Sequence, residues 1–379
     1  MIRVLSIFGT RPEAVKMAPI VRLLAQTPGI ESKVCVTAQH RQMLDQVLEV
    51  FNIQPDIDLN LMKPNQSLAQ LTADIFTHLD PVLREVQPDW VLVQGDTTTV
   101  MAAALLAFYH RIRVGHVEAG LRTNDRYQPF PEEINRRIAG VVADLHFAPT
   151  EHARRNLLAE NVPPQSIVVT GNPAIDALRW ITAQPMPQEA EDLLARMDVR
   201  PGGRQLVLIT AHRRENFGKP LEDICHALRA LAEEYADRLA LLYAVHLNPN
   251  VQEPVYRLLS GIPNITLTPP LDYLPMAHLM QKAHLVLTDS GGIQEEATSL
   301  GKPTLVLREV TERPEGVEAG VLKLVGTDPQ RILREARLLL EDEQAYRAMA
   351  QAANPFGDGH AAERIVEALL KASQSASPA

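Results

Sequence analysis

Short apolar, β-branched runs alternate with helix-like segments along almost the whole chain. In the first half these runs predict strands at 3–8, 33–37, 90–94, 114–118, 145–148 and 167–170. In the second half they predict strands at 206–210, 239–244, 265–268, 285–288, 304–307 and 321–325. Several are apolar at every position, as strands covered by helices on both faces should be. Such strands, separated by helices, form parallel sheets through right-handed βαβ crossovers, and the pattern occurs twice. The predicted fold class is therefore α/β, with two Rossmann-like domains built on parallel sheets. A chain of 379 residues is long enough for both. The Pro- and Gly-rich stretch 185–203 marks the boundary region, which begins as early as Gly171-Asn172-Pro173. The domains are placed at 1–172 and 173–359. A second break, at 354–359, precedes a last helix at 361–371, and the segment 360–379 is expected to pack back on the first domain.

Composition narrows the function. A net charge of −9 leaves no excess of Lys and Arg to track nucleic-acid phosphates, although one phosphorylated ligand in a locally basic cleft stays compatible. Cys35 and Cys225 lie far apart with no C-x-x-C spacing, which predicts buried reduced thiols and a cytoplasmic setting. Residues 1–8 are too short for a signal-peptide core, and the longest apolar region, 100–108, is too short to span a membrane.

The unusual polar clusters fall at the carboxyl ends of predicted strands. They are Gly9-Thr10-Arg11-Pro12-Glu13 with Lys16 one turn on, Gly95-Asp96-Thr97, Glu118-Ala119-Gly120-Leu121-Arg122, and Ala211-His212-Arg213-Arg214. Ligands of open parallel sheets bind outside those ends, so two facing sheets would gather the clusters at one interdomain cleft. The stretch 285–316 adds a strand, a turn through Asp289-Ser290-Gly291-Gly292, a helix at 293–300 and a polar loop carrying Arg313. A helix start of that composition offers unpaired N–H groups and a partial positive charge to a phosphate. Arg313 adds a bidentate clamp for a diphosphate.

Other ligands fit worse. The first βα turn is not G-x-G-x-x-G, and the nearest match, at 357–362, follows no strand. There is no P-loop motif, no G-x-S-x-G elbow around Ser290 and no H-E-x-x-H spacing. What remains is a phosphate-binding helix start, several cations and the carboxylates Asp96, Glu118 and Glu132. Each also has a plainer structural reading. Asp96 caps a helix; Glu118 pairs with Arg122; Glu132 and Glu133 are first-turn acids with Arg136 and Arg137 as partners; His212 is one charge of a basic loop; residues 39–42 are a solvated turn.

Taken in order, these clusters, with Pro131-Glu132-Glu133-Ile134-Asn135-Arg136, Thr170-Gly171-Asn172-Pro173, Gln294-Glu295-Glu296 and Thr311-Glu312-Arg313-Pro314-Glu315, form one set. The chain resembles the non-hydrolysing UDP-N-acetylglucosamine 2-epimerases of bacterial surface-polysaccharide synthesis. The resemblance implies a GT-B architecture with the active site in the interdomain cleft, no cofactor, no essential metal and a homodimer. It implies interconversion of UDP-GlcNAc and UDP-ManNAc by elimination and re-addition of UDP through 2-acetamidoglucal. Arg11, Lys16, His212, Arg313 and the Ser290-Gly291-Gly292 backbone would then hold the departing diphosphate. Asp96, Glu118 and Glu132 would move the proton, in an order the residues leave open. Glu296 would hold the ribose and the backbone near Met276 the uracil. Gln39, Gln42, Arg213 and His246 match an allosteric UDP-GlcNAc pocket, with Asn65 where some members carry arginine. Competing readings are a hydrolysing epimerase, a GT-B glycosyltransferase, an epimerase of a modified UDP-sugar, and a UDP-sugar sensor without turnover.

Overall fold

The computed structural model describes residues 1–37, 41–61, 63 and 66–375, the side chains of 41–43 and 375 excepted. Gln39 and Asn65 lie outside the described residues, as does the side chain of Gln42. The chain forms two compact units, Met1–Ala177 with Phe356–Ala379, and Leu178–Pro355.

The first unit carries a parallel sheet of β1 (Ile2–Phe8), β2 (Ile30–Val36), β3 (Ile57–Asp58), β4 (Trp90–Gln94), β5 (Arg113–Val117), β6 (Leu145–Ala148) and β7 (Ile167–Val169). Its order is β3-β2-β1-β4-β5-β6-β7. The second carries β8 (Gln205–Thr210), β9 (Leu239–Ala244), β10 (Ile265–Thr268), β11 (Ala283–Thr288), β12 (Thr304–Val306) and β13 (Leu322–Leu324), ordered β10-β9-β8-β11-β12-β13. Register is parallel throughout, with Val4 opposite both Ser32 and Trp90, and Val286 opposite Leu208 and Thr304. Every strand read from the apolar pattern is present. β3 is the addition; two residues at a sheet edge are too few to display a period.

The reason for the all-apolar strands is visible in the burial. β4 is buried along its full length, and Leu5, Ile7, Val91 and Val93 join the helices Leu68–Val86 and Thr98–Tyr109 in one core. In the second unit Val207, Ile209, Leu241, Leu285 and Leu287 pack with the helices Lys219–Glu234 and Pro329–Glu341. The opposite face of that sheet packs against Ala190, Leu193 and Leu194 of the helix Gln188–Arg196. That helix lies inside 185–203, so the Pro- and Gly-rich stretch contributes to a core and is not a bare linker. The last helix, Ala361–Ser375, belongs to the first unit. It buries Ile365, Val366 and Leu369, and Ser373 Oγ accepts the Trp90 indole N–H at 2.9 Å. Cys35 and Cys225 are unpaired and buried, and burial pushes each thiol up to about 12. No helix of the described residues is long and apolar enough to cross a membrane.

Candidate active site

In the first sheet the chain runs outward from β1 through β2 and β3, then returns to β4 on the other side of β1. The loops after β1 and β4 therefore flank the topological switch point, where open α/β sheets bind ligands. Gly9 is required there because a Cβ would stand 2.0 Å from Thr37 Oγ1. The helix Arg11–Gln26 begins at once, and Glu13 ties its start together. The buried Glu13 carboxylate accepts the N–H groups of Gly9 (3.0 Å) and Thr10 (2.7 Å) and the Thr97 hydroxyl (2.7 Å). One turn on, Lys16 Nζ stands 2.5 Å from Glu118 Oε1, from the end of β5. Arg11 is partly buried.

Glu118 has a left-handed backbone, φ 63°, unusual for a residue with a side chain. Its carboxylate is buried and also accepts hydrogen bonds from Gln94 Nε2 and from Asn172 Nδ2, the latter at 3.1 Å. The expected pairing with Arg122 does not occur. Arg122 instead makes two 2.7 Å bonds to Glu160, because the αL turn at Glu118 sends the two side chains apart.

Asp96 is not a helix cap. Thr97 occupies that position and accepts the Val100 N–H at 3.3 Å. Asp96 meets the Arg136 guanidinium at 2.5 Å, and its carbonyl accepts from Asn135 Nδ2 at 3.0 Å. Burial nevertheless raises the Asp96 pKa; the Arg136 charge opposes that rise and the Glu118 charge adds to it. A carboxyl held above its ordinary range beside a second carboxylate suits proton transfer. The first-turn acids of the helix Glu132–Val142 divide. Glu133 is fully buried, accepts the Thr123 N–H at 3.1 Å and pairs with Arg137 and Arg136, so the plainer reading describes Glu133. Glu132 Oε2 is buried with no hydrogen-bond partner among the described residues. His116 Nε2–H donates to the Gly95 carbonyl (2.7 Å), and burial depresses the imidazole to about 4, so it is neutral at physiological pH.

The second sheet has its own switch point, between β8 and β11. Asp289 ends β11 and is fully buried. Its Oδ2 accepts the N–H groups of His212 and Arg213, both at 2.8 Å, and Asn216 Nδ2 at 3.1 Å. One carboxylate thus fixes the loop after β8. The His212 ring stacks on His246 with centroids 5.2 Å apart, and its Nδ1 stands 3.6 Å from Asp289 Oδ1. Burial lowers the His212 pKa, the Asp289 charge opposing it, so the neutral imidazole is favoured.

The helix Gly291–Ser299 starts immediately after Asp289 and Ser290. Ser290 sits at the N-cap but makes no side-chain cap bond, which leaves the first-turn N–H groups unanswered by it. Gly292 is exposed, with nothing within 4 Å of where a Cβ would stand. Gly291 faces Arg313, whose Nη2 would lie 3.7 Å from a Cβ on Gly291. Arg313 is aimed by the buried Glu295, which accepts its Nε, and by Glu312 O at 3.2 Å. A helix start and a guanidinium thus converge on one open spot, the arrangement a phosphate requires. Glu296 is buried and accepts from Tyr273 Oη at 3.3 Å; Met276, on the helix Tyr273–Lys282, packs against the core below.

The sequence profile of the UDP-N-acetylglucosamine 2-epimerase family matches residues 22–370. The UDP-N-acetylglucosamine 2-epimerase of Escherichia coli strain K12 is 56% identical over 369 residues, 97% of this chain and 98% of that protein. The chain belongs to the UDP-N-acetylglucosamine 2-epimerase family. Among solved structures, the UDP-GlcNAc 2-epimerase of Neisseria meningitidis bound to UDP-GlcNAc superposes with a TM-score of 0.87 at 50% identity, covering 98% of this chain and 100% of that one. The Methanocaldococcus jannaschii UDP-GlcNAc 2-epimerase in complex with UDP-GlcNAc and UDP gives 0.79 at 33% identity, covering 98% and 100%.

Set on this epimerase fold, the predicted residues form two groups. Asp96, Glu118, Lys16 and Arg11 collect around the first switch point, with Glu132 opening the helix that supplies Arg136. Ser290, Gly291, Gly292, Arg313, His212, Arg213 and His246 collect around the second. Sequence reasoning missed the residues that hold these two clusters in shape: Glu13, Gln94, Arg136, Asn172, Asp289 and Glu295. Only Asp289 carried a local signal, as an acid placed just after the apolar run Leu285-Val286-Leu287.

Proposed function

We propose that this chain catalyses reversible epimerisation at carbon 2 of UDP-N-acetylglucosamine, giving UDP-N-acetylmannosamine, as a non-hydrolysing enzyme. The observation that carries the reading is the pairing, within one family member, of a phosphate-receiving helix start with a second cluster of buried acids. The C2 proton of the sugar has no adjacent carbonyl and is hardly acidic. Loosening the anomeric C–O bond builds oxocarbenium character at C1 and acidifies it. The chemistry therefore needs a diphosphate cradle and a proton-transfer group at once.

The second unit supplies the cradle. The N–H groups of Ser290, Gly291 and Gly292 and the Arg313 guanidinium take the phosphates, with His212 adding a donor as negative charge develops on the leaving oxygen; Arg11, of the first unit, is assigned to the same task. Glu296 takes the ribose hydroxyls and the backbone near Met276 the uracil. The first unit works on the hexose. Glu118, paired with Lys16, and Asp96, whose proton affinity burial raises, exchange the C2 proton, with Glu132 as the third carboxylate. UDP departs to leave 2-acetamidoglucal; protonation on the opposite face with re-addition of UDP gives the epimer. Arg213 and His246, beside His212, are assigned with Gln39 and Gln42 to a second UDP-GlcNAc molecule that activates the enzyme. The product supplies cell-surface polysaccharide, and the unpaired buried thiols agree with a cytoplasmic setting.

The test is incubation with UDP-GlcNAc in deuterated water without added cofactor, followed by NMR. UDP-ManNAc carrying deuterium at C2, with traces of UDP and 2-acetamidoglucal, is expected. Free ManNAc as main product would mean hydrolysis, and absence of exchange would remove the epimerase reading.

A homodimer is also proposed. The first unit exposes Phe108 (56%), Tyr109 (62%) and Val141 (85%) around a depression of about 690 Å³ that Ile112 and Val142 also line. An apolar patch on adjacent helices is a surface that association would cover. Val141→Asp combined with Phe108→Asp is expected to halve the mass measured by light scattering. An unchanged mass, or a monomeric wild type, would exclude this face.

A further inference from the structure

We propose that Asn172 is a positioning residue for proton transfer: its side-chain amide sets the direction of the Glu118 carboxylate. The proposal rests on the reading of Glu118 as a proton-transfer group.

Asn172 follows β7, which stands two strands beyond β5 in the sheet, yet its Nδ2 reaches Glu118 Oε1 at 3.1 Å. The amide has no freedom to turn over. Its Oδ1 accepts the Ala174 N–H at 3.0 Å, so the nitrogen must face Glu118 and donate. The backbone is pinned as well. Asn172 N–H donates to the Phe356 carbonyl at 2.8 Å, where the chain re-enters the first unit. That approach depends on two glycines with positive φ, since a Cβ on Gly171 would stand 3.1 Å from the Gly357 Cα, and one on Gly357 3.2 Å from the Asn172 nitrogen. Asn172 is buried, so its donor is not exchanged for water.

The three donors on Glu118 differ in kind. Lys16 is a point charge on a flexible stem, which favours ionisation but fixes direction weakly. Gln94 holds Oε2 from the neighbouring strand. Asn172 holds Oε1 from the opposite side, and it is the donor whose own orientation is set at backbone, acceptor and donor together. A carboxylate on an αL residue has its side chain aimed by the backbone and needs such bracing to keep one line of attack on C2.

A purely structural Asn172 would only cap the helix Pro173–Thr182, a task that aspartate and serine perform equally well. Asn172→Asp keeps the acceptor for Ala174 but sets a second carboxylate against Glu118. Among the described residues, the charged and titratable groups around Glu118 include Lys16, Asp96 and His116, and His116 is already neutral above about pH 4. The added negative charge disfavours ionised Glu118, so the acidic limb of the kcat profile moves to higher pH. The expected result is a loss of kcat of about 100-fold with KM within about 3-fold, and a limb shifted up by about one pH unit or more. Asn172→Ser keeps a cap but is too short to reach Glu118. It is expected to lower kcat by about 10-fold without moving KM or Tm.

Wild type and Glu118→Gln are assayed in parallel for C2 deuterium exchange. If wild type does not exchange, or Glu118→Gln turns over normally, the Glu118 reading fails. If both behave as expected while Asn172→Asp and Asn172→Ser keep wild-type kcat and pH profile, the positioning role alone is overturned. Should Asn172→Asp fail to fold, the serine variant decides.

Discussion

Glu118→Gln is expected to lower kcat by about 10³-fold, within the 10²- to 10⁴-fold range of general acid–base catalysis, while the UDP dissociation constant stays within about 3-fold. The change is close to isosteric. It removes the carboxylate that Lys16 pairs with, one of the groups proposed to exchange the C2 proton, so deuterium incorporation should fall with turnover. UDP binding is expected to persist because the groups proposed to hold it, Ser290–Gly292 and Arg313, belong to the second unit, where Glu295 accepts the Arg313 Nε. Asp96→Asn should behave alike, with a further signature. Burial raises the Asp96 proton affinity above its ordinary 3.8, so a base at that position loses activity as pH falls through a value above 3.8. If Asp96 is that base, the acidic limb disappears from whatever turnover the asparagine variant retains. The measurements are NMR-followed exchange and calorimetric UDP titration. Near-normal turnover in both variants would remove the assigned roles.

Asp289→Ala is expected to destabilise the second unit by about 3 kcal/mol and to weaken UDP binding. The carboxylate is wholly buried and receives three donors, His212 N, Arg213 N and Asn216 Nδ2. Asn216 also donates to the Leu307 carbonyl, so the loss reaches the segment after β12. Removing this buried acceptor leaves part-buried N–H groups unanswered, which costs more than the bonds contribute when present. At about 2–4 °C per kcal/mol for a unit of this size, the unfolding transition should fall by about 6–12 °C. UDP affinity should fall as well, because Ser290 and the helix start follow Asp289 directly. Asp289→Asn, which keeps the shape and one acceptor, should cost less. A transition within about 2 °C of wild type, with unchanged UDP affinity, would contradict the assigned role.

Much of the fold was legible in the chain. An all-apolar run such as 90–93 needs a helix on each face, and alternation of such runs with helical segments permits little besides parallel sheets. β3 escaped because Ile57–Asp58 is too short to carry a period. The helix Gln188–Arg196 escaped because the prolines and glycines around it resemble a linker, while its buried Ala190, Leu193 and Leu194 belong to a core. Among site residues, Ser290, Gly292 and Arg313 could be read locally, since a helix start with small residues offers its N–H groups whatever surrounds it.

Partner choice was not legible. Glu118 stands four residues from Arg122, and a sequence reader pairs them; the αL backbone at Glu118 gives it instead to Lys16, 102 residues away, and to Asn172, 54 residues away. The acids at 132 and 133 look equivalent in the chain, yet one is fully enclosed by arginines and the other keeps an unanswered oxygen. Amino-acid order by itself determined which segments are strands, that the sheets are parallel, and that a helix begins just after Ser290, because periodicity, burial and helix ends are properties of neighbouring residues. Only the tertiary structure decided that β1 lies beside β4 and β8 beside β11, and hence which carboxylate meets which cation. Those adjacencies come from pairing strands far apart in the chain, and a carboxylate's partner is whichever donor that pairing brings within about 3 Å.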